Sequence, residues 1–294
     1  MKDSETNISL LVQKARERER EKNKQNGLDQ ARAAHLRLIP TRHGEIRVLE
    51  YGFGTYEKKP LMIDLHGGGF IFNTADVDEK IILQMQQDVP QCRFISIDYP
   101  KAPEQPFPAA PDAVNDVINY YALHAAEFDI DIDRMVIGGH SAGANLATVT
   151  CLRAAQNKDF SFKGQILDYP PLDLKTPALE KPTPEGCIPP DLAELFNSCY
   201  VGRNDADNPE ISPIFADTHL LAMLPPAYIL VCGHDSLHDE GVQYGKKLEK
   251  AQVPVKLSRY PDELHGFTYD TTPSAIRAVH EMADFLADCI KLFG

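Results

Sequence analysis

From residue 35 onward the chain alternates two kinds of apolar pattern. Short apolar runs are separated by longer stretches whose apolar positions recur at helical spacing. "HLRLIPTR" and "EIRVLEYGF" alternate apolar and polar positions and join at His43-Gly44, which predicts a β-hairpin. The runs "PLMIDLHG", "RFISIDYP", "RMVIGGHS", "GQILDYPP", "AYILVCGHD" and "VPVKLSRYPD" predict strands. Between most of them lie the helical segments "PDAVNDVINYYALHAAEF", "GANLATVTCLRAAQNK" and "DEGVQYGKKLEKAQ", and "SAIRAVHEMADFLADCIKLF" closes the chain. Nearly continuous apolar strands alternating with helices predict an α/β fold. The expected sheet is twisted, mostly parallel, of about eight strands, with helices on both faces.

Two stretches break this rhythm. The first 27 residues are polar, and "LLV" precedes the interleaved Arg and Glu of "KARERER". That text predicts a solvated helix, either loosely docked or part of a lid. Residues 172–215 are rich in proline and carry one good helical run, "DLAELFNSCY". An insertion this long between two strands is uncommon without a task, and a cap over a site is the expectation.

Composition narrows the partners. The chain has 294 residues, 43% of them hydrophobic, which suffices for one large core. Thirty basic against 43 acidic residues give a net charge of -13, which argues against nucleic acid and anionic membrane surfaces as partners. No run approaches the roughly 18 apolar residues needed to span a bilayer, so no stable membrane insertion is expected. The N-terminal text has no apolar core of a secretory signal. The six cysteines (Cys92, Cys151, Cys187, Cys199, Cys232, Cys289) form no CxxC pair and read as reduced thiols of a cytoplasmic protein. A Cys187–Cys199 bridge is the alternative, though disulfides are rare in that compartment. The oligomeric state stays open, a homodimer included.

The candidate chemistry begins at Gly139-His140-Ser141-Ala142-Gly143, a G-x-S-x-G at a strand-to-helix turn. In an α/β sheet, ligands bind beyond the carboxyl ends of the strands, and Ser141 lies at such an end. Small residues on either side let the turn be sharp enough to lift the hydroxyl clear of the backbone. Five-residue patterns of this kind also arise by chance, and a serine needs a base. Asp235 and His265 each follow a later strand, in the order serine, acid, histidine. Taken singly, Asp235 reads more readily as a helix cap and His265 as a surface loop histidine. Their joint placement after the serine favours a catalytic set. Finally, "HGGGF" follows the strand "PLMIDL". Glycines there let the N–H groups of Gly68 and Gly69, with that of Ala142, approach a developing oxyanion.

The ordered motifs "HGGGF", "IDYPKAPEQPFPAAPDA", "GHSAGA", "DSLHDEG" and "HGF" resemble the hormone-sensitive lipase family of α/β-hydrolases, the HGGG-type carboxylesterases. The resemblance runs from about residue 45 to the C-terminus. It implies a serine hydrolase that cleaves short acyl esters, with no metal and no cofactor. Ser141 would be the nucleophile, His265 the base and Asp235 its orienting acid, with His66 holding the glycine loop. It also implies a single domain over 1–294 with cap elements at 1–40 and 172–215. The chain departs from the family at His140, where an acidic residue or threonine is usual, and at Ala144, where glycine is usual. "GHSAGA" also resembles the elbow of arylformamidases, which is the alternative activity. A ligand-binding protein on a hydrolase scaffold is the alternative class. The cluster His234, Asp235, His238, Asp239 suggests a metal only weakly, because Asp235 is already assigned and no cysteine is spaced for ligation.

Overall fold

The computed structural model describes residues 2–54 and 57–291, with side chains from residue 10 onward. Leu292 and Phe293, which the sequence pattern places in the last helix, lie outside the described residues.

The chain opens with helix α1 (Lys2–Gln25) and the hairpin β1 (His35–Thr41) and β2 (Gly44–Tyr51). Then follow β3 (Lys59–Leu65), α2 (Glu79–Asp88), β4 (Arg93–Ile97), α3 (Ala109–Leu123), β5 (Ile130–His140) and α4 (Ala142–Asn157). The second half holds β6 (Phe162–Asp168), α5 (Pro190–Val201), α6 (Thr218–Leu221), β7 (Ala227–His234), α7 (His238–Lys250), β8 (Val255–Leu264) and α8 (Pro273–Lys291). The eight strands form one sheet in the order β1-β2-β4-β3-β5-β6-β7-β8. The pairs β1–β2 and β2–β4 are antiparallel, and every later pair is parallel. The hairpin turns at Arg42-His43 and not at His43-Gly44, because Gly44 already pairs with Thr41.

The apolar runs are continuous because each strand is covered twice. Successive residues point to opposite faces, and the core divides accordingly. Ile63, Ile95, Ile137, Leu167 and Ile229 pack on one side with Val117 of α3, Leu146 of α4 and Leu248 of α7. Their neighbours Met62, Phe94, Val136, Ile166 and Leu230 pack on the other with Met85 of α2 and Met282 of α8. β5, the strand that leads to Ser141, sits between β3 and β6 and is covered on both faces.

The two rhythm-breaking stretches lie against this body at the site. Arg16 of α1 donates to the carbonyls of Ile71 (2.8 Å) and Ala102 (2.7 Å) and grips both oxygens of Glu104. Val12 is buried, whereas Leu10 and Leu11 are about half exposed. The base of the 172–215 stretch is closed by one side chain. Asn145 Nδ2 donates to the carbonyls of Pro171 (2.8 Å) and Ile211 (2.9 Å). Glu240 of α7 accepts from the Leu172 amide and pairs with Lys181, both at 2.6 Å. From α5, Tyr200 stacks on Phe70 with centroids 3.8 Å apart and Phe196 meets Phe72 edge-on. Both partners sit in the segment that follows the three glycines.

Candidate active site

Ser141 falls between β5 and α4 with φ 51° and ψ -118°, a conformation that only a tightly braced turn imposes on a side-chain-bearing residue. The bracing is visible at the flanking glycines. A Cβ on Gly143 would stand 1.8 Å from the Leu65 carbonyl oxygen, and one on Gly139 would stand 2.5 Å from the same oxygen and from the Gly143 carbonyl carbon. The end of β3 thus crosses the turn with no room for a methyl group on either side.

β7 and β8 bring in the partners. Gly233 lets these strands close up, since a Cβ there would be 1.9 Å from the Pro261 carbonyl oxygen. Asp235 follows β7 and His265 follows β8. His265 Nδ1 lies 2.8 Å from Asp235 Oδ2, and its Nε2 lies 2.9 Å from Ser141 Oγ. Asp235 Oδ1 accepts from the Leu237 amide at 3.0 Å, so the carboxylate braces the turn ahead of α7 and holds the imidazole at once. The Nδ1 proton faces Asp235, which leaves the Nε2 lone pair to accept the Ser141 hydroxyl. Burial pulls the His265 pKa down, but the charge and hydrogen bond of Asp235, with Asp168 and Glu240 farther off, leave it raised above 6.5.

Gly68 and Gly69 adopt φ 127° and 58°. The Gly68 carbonyl accepts from the amides of Ile71 (3.1 Å) and Phe72 (2.8 Å), which fixes the loop as a tight turn. Ala142 opens α4, where helical geometry leaves the first N–H groups without partners. His66 is fully buried, stacks on Tyr99 and bonds through Nδ1 to the Gly67 carbonyl at 2.7 Å. Ser141, His265, Gly68 and Gly69 all face one cavity of about 670 Å³. Its other walls include Phe72, Leu192 and Phe196, and α1 adds Glu19, Lys22 and Asn23. Such a space admits a small organic molecule and brings it against the Ser141 hydroxyl, the His265 imidazole and the backbone of the glycine loop.

The histidine and aspartate pairs after β7 do not converge on a metal. His234 bonds to the Glu185 carbonyl, His238 pairs with Asp239 at 3.0 Å, and Asp235 turns to His265. Among the described residues, the metal-like grouping is instead Asp64, Asp78 and His140. Sequence reasoning did not single out Asp64, Asp78, Asp168, Thr268 or Tyr269, which pack below the serine. The signal available for Asp168 was its place at a strand end beside the elbow; the others carry no motif.

The fold and sequence have counterparts among known proteins. A family profile described as an alpha/beta hydrolase fold matches residues 62–269. The esterase LipI of Mycobacterium tuberculosis is 31% identical over 210 residues, 71% of this chain and 65% of that protein. The ethyl acetate hydrolase of Pseudomonas putida is 29% identical over 212 residues, 70% of this chain and 65% of that protein. The chain therefore spans just under two thirds of the length of these relatives. Among solved structures, the hyperthermophilic esterase of Pyrobaculum calidifontis superposes with a TM-score of 0.86 at 29% identity, covering 96% of this chain and 93% of that one. The metagenomic carboxylesterase EstE1 gives a TM-score of 0.86 at 26% identity, covering 95% of this chain and 97% of that one. With the profile spanning most of the sheet and the elbow at its centre, the chain belongs to the alpha/beta hydrolase fold family, in the group that resembles hormone-sensitive lipase.

Proposed function

We propose that the protein is a serine carboxylesterase that hydrolyses short-chain acyl esters through an acyl-enzyme. The observation that carries this reading is the unbroken relay from Asp235 through His265 to Ser141, 2.8 and 2.9 Å long, opening on a cavity. In this reading His265 Nε2 takes the Ser141 proton as Oγ attacks the ester carbonyl. The oxyanion of the tetrahedral intermediate is met by the N–H groups of Gly68, Gly69 and Ala142. His265 returns the proton to the leaving alkoxide, and Ser141 is left acylated. Water then repeats the sequence with His265 as base, releasing the acid.

Residues 1–40 and 172–215 act as the cap of a single domain. The support is that α1 and α5 both contribute cavity walls. Phe72 and Phe196 narrow the space beside the glycines, which favours short acyl chains. All six thiols are free and five are buried, which supports a reducing, cytoplasmic setting. Among the described residues, no helix is long and apolar enough to cross a membrane.

The test is a panel of p-nitrophenyl esters from acetate to palmitate, run beside N-formylkynurenine and a fluorophosphonate label. Turnover of the short esters with labelling at Ser141 is the expected result. Preference for the formamide would redirect the reading to an arylformamidase, and no labelling would leave a binding protein.

A further inference from the structure

Below the serine, three carboxylates and one imidazole are packed with almost no exposure to solvent. Asp64 lies in β3, Asp78 in the turn before α2, and His140 and Asp168 at the ends of β5 and β6. His140 Nδ1 is 2.7 Å from Asp168 Oδ2, and its Nε2 is 3.7 Å from Asp64 Oδ1. Each ring nitrogen therefore faces a carboxylate. Asp64 also accepts from Ser96 Oγ at 2.6 Å, and Asp78 from Tyr269 Oη at 2.8 Å. The second oxygen of Asp78 is buried without a hydrogen-bond donor from another residue.

The cluster reaches every part of the candidate site. The Asp168 carbonyl accepts from the Ser141 amide at 2.9 Å, and its carboxylate accepts from Thr268 Oγ1 at 2.8 Å. Thr268 follows His265 by three residues and shares a hydrogen bond with Tyr169, whose ring lies 4.5 Å from the His265 ring. On the other side, Tyr269 Oη accepts from the Gly67 amide at 3.4 Å, at the head of the glycine loop. One buried network therefore touches nucleophile, base and oxyanion loop.

Its charges restrict how it can exist. Three ionised carboxylates around a neutral imidazole would place three like charges together without water, and such groups do not all ionise. The network balances when His140 is an imidazolium and one proton lies between Asp78 and Asp64, so that the pair carries a single negative charge toward the ring. Asp64 and Asp168 then each face one N–H of the cation. We propose that His140 is a positioning residue for the ester hydrolysis described above: as a buried cation between Asp64 and Asp168, it locks the serine turn to the histidine loop and the glycine loop.

The protonation tendencies agree with this arrangement. Burial alone would lower the His140 pKa, but Asp78, Asp168 and Asp64 lift it to about 9. Asp78 is pushed well above the carboxylate range, first by burial and then by Asp64. The remaining groups that face the His140 ring are Tyr169 and Tyr269. The proposal rests on the serine-hydrolase reading for its kinetic consequences but not for its charge state.

The experiment uses the full chain and its His140→Gln and His140→Gln/Asp168→Asn variants. Histidine NMR reads the protonation of His140, p-nitrophenyl acetate kinetics read the site, and elemental analysis reads bound metal. In the wild type, His140 should be doubly protonated at pH 7 and titrate near 9, with an alkaline limb in kcat at the same pH. His140→Gln should lower kcat on the order of a hundredfold with KM nearly unchanged, as misplacement of reacting groups does. It should also abolish the alkaline limb. Removing the stranded charge in the double variant should restore part of kcat. A neutral His140 at pH 7, or a His140→Gln enzyme with a lower Tm but full kcat, would overturn the proposal. One equivalent of magnesium or zinc in the wild type, lost in His140→Gln, would overturn it in favour of a metal site. If the wild type cleaves no ester and Ser141 takes no label, the hydrolase reading fails, and the NMR titration still decides the charge state.

Discussion

Phe196 of α5 lies across Gly69 so closely that a methyl group on that glycine would stand 2.4 Å from the phenyl ring. A side chain of the 172–215 stretch thus rests on the glycine loop proposed to hold the oxyanion. Phe196→Ala should lengthen the space beside Ser141 and shift preference toward longer acyl chains. Each newly buried methylene contributes about 0.8 kcal/mol. The ratio of kcat/KM for octanoate over butyrate should therefore rise by roughly tenfold or more. An unchanged ratio would show that the acyl chain runs elsewhere in the cavity.

Removing the hydroxyl of the proposed nucleophile is the sharpest test of the relay. Ser141→Ala should lower kcat on the order of a million-fold, the size of effect that triad serines show. Its circular dichroism should match that of the wild type. Near-normal turnover in this variant would remove Ser141 from the mechanism.

The raised pKa of His265 sets the acid limb. The imidazole must be neutral to accept the serine proton, so kcat/KM should rise with pH through one ionisation above 6.5. Asp235→Asn removes the charge and favours the wrong tautomer, at a cost on the order of ten-thousand-fold. The stability sign runs the other way. Both His265 and His140 have raised values, His140 to about 9, so their contribution is complete below 6.5 and lost as pH climbs toward 9. A pH–rate profile flat from 5.5 to 8, or a Tm that rises between pH 7 and 10, would contradict these assignments.

Arg16 is the main polar anchor of α1, since it holds two carbonyls and Glu104. Arg16→Ala should loosen the helix from the cavity while leaving the Ser141 relay intact. The expected readout is faster proteolytic cleavage within residues 10–25 and a KM several-fold higher, with kcat changed less. Unaltered cleavage and KM would show that the helix is held by other contacts.

Among the described glycines, Gly143 leaves the least room for a methyl group, so Gly143→Ala should be severely damaging. The methyl would sit 1.8 Å from a backbone oxygen of β3, where no side chain can rotate away. Displacing a strand end in a packed core is among the changes that exceed about 4 kcal/mol. Insoluble expression, or a steep fall in Tm, is expected; a well-folded Gly143→Ala protein would mean that the turn has slack.

The parts of this molecule legible in the sequence are those that rest on local pattern. Ile63 beside Met62 and Ile137 beside Val136 mark strands buried on two faces, because both neighbours are apolar. Ser141, Asp235 and His265 announce themselves through glycines and strand ends. α2 is not among the helical segments named from the sequence, since its ten residues carry only three buried apolar positions, Ile81, Ile82 and Met85. The hairpin turn was misplaced by one residue, because Gly44 attracts the assignment while serving as the first residue of β2. The network under the serine was hidden for a deeper reason. Asp64, Asp78, Asp168 and Thr268 are far apart in the chain, and each alone is an ordinary strand-end or loop residue. Only tertiary folding, which brings Thr268 to 2.8 Å from Asp168, gives them a common role.

The backbone at Ser141 carries a conformational cost of its own. Its φ of 51° and ψ of -118° belong to a region that glycine enters freely and that costs other residues about 1–3 kcal/mol. The turn would fold more comfortably around glycine, so Ser141→Gly should melt above Ser141→Ala. On the proposed esterase reading, the reacting hydroxyl is therefore held in place against the preference of its own main chain, and part of the fold's stability is spent on holding it there.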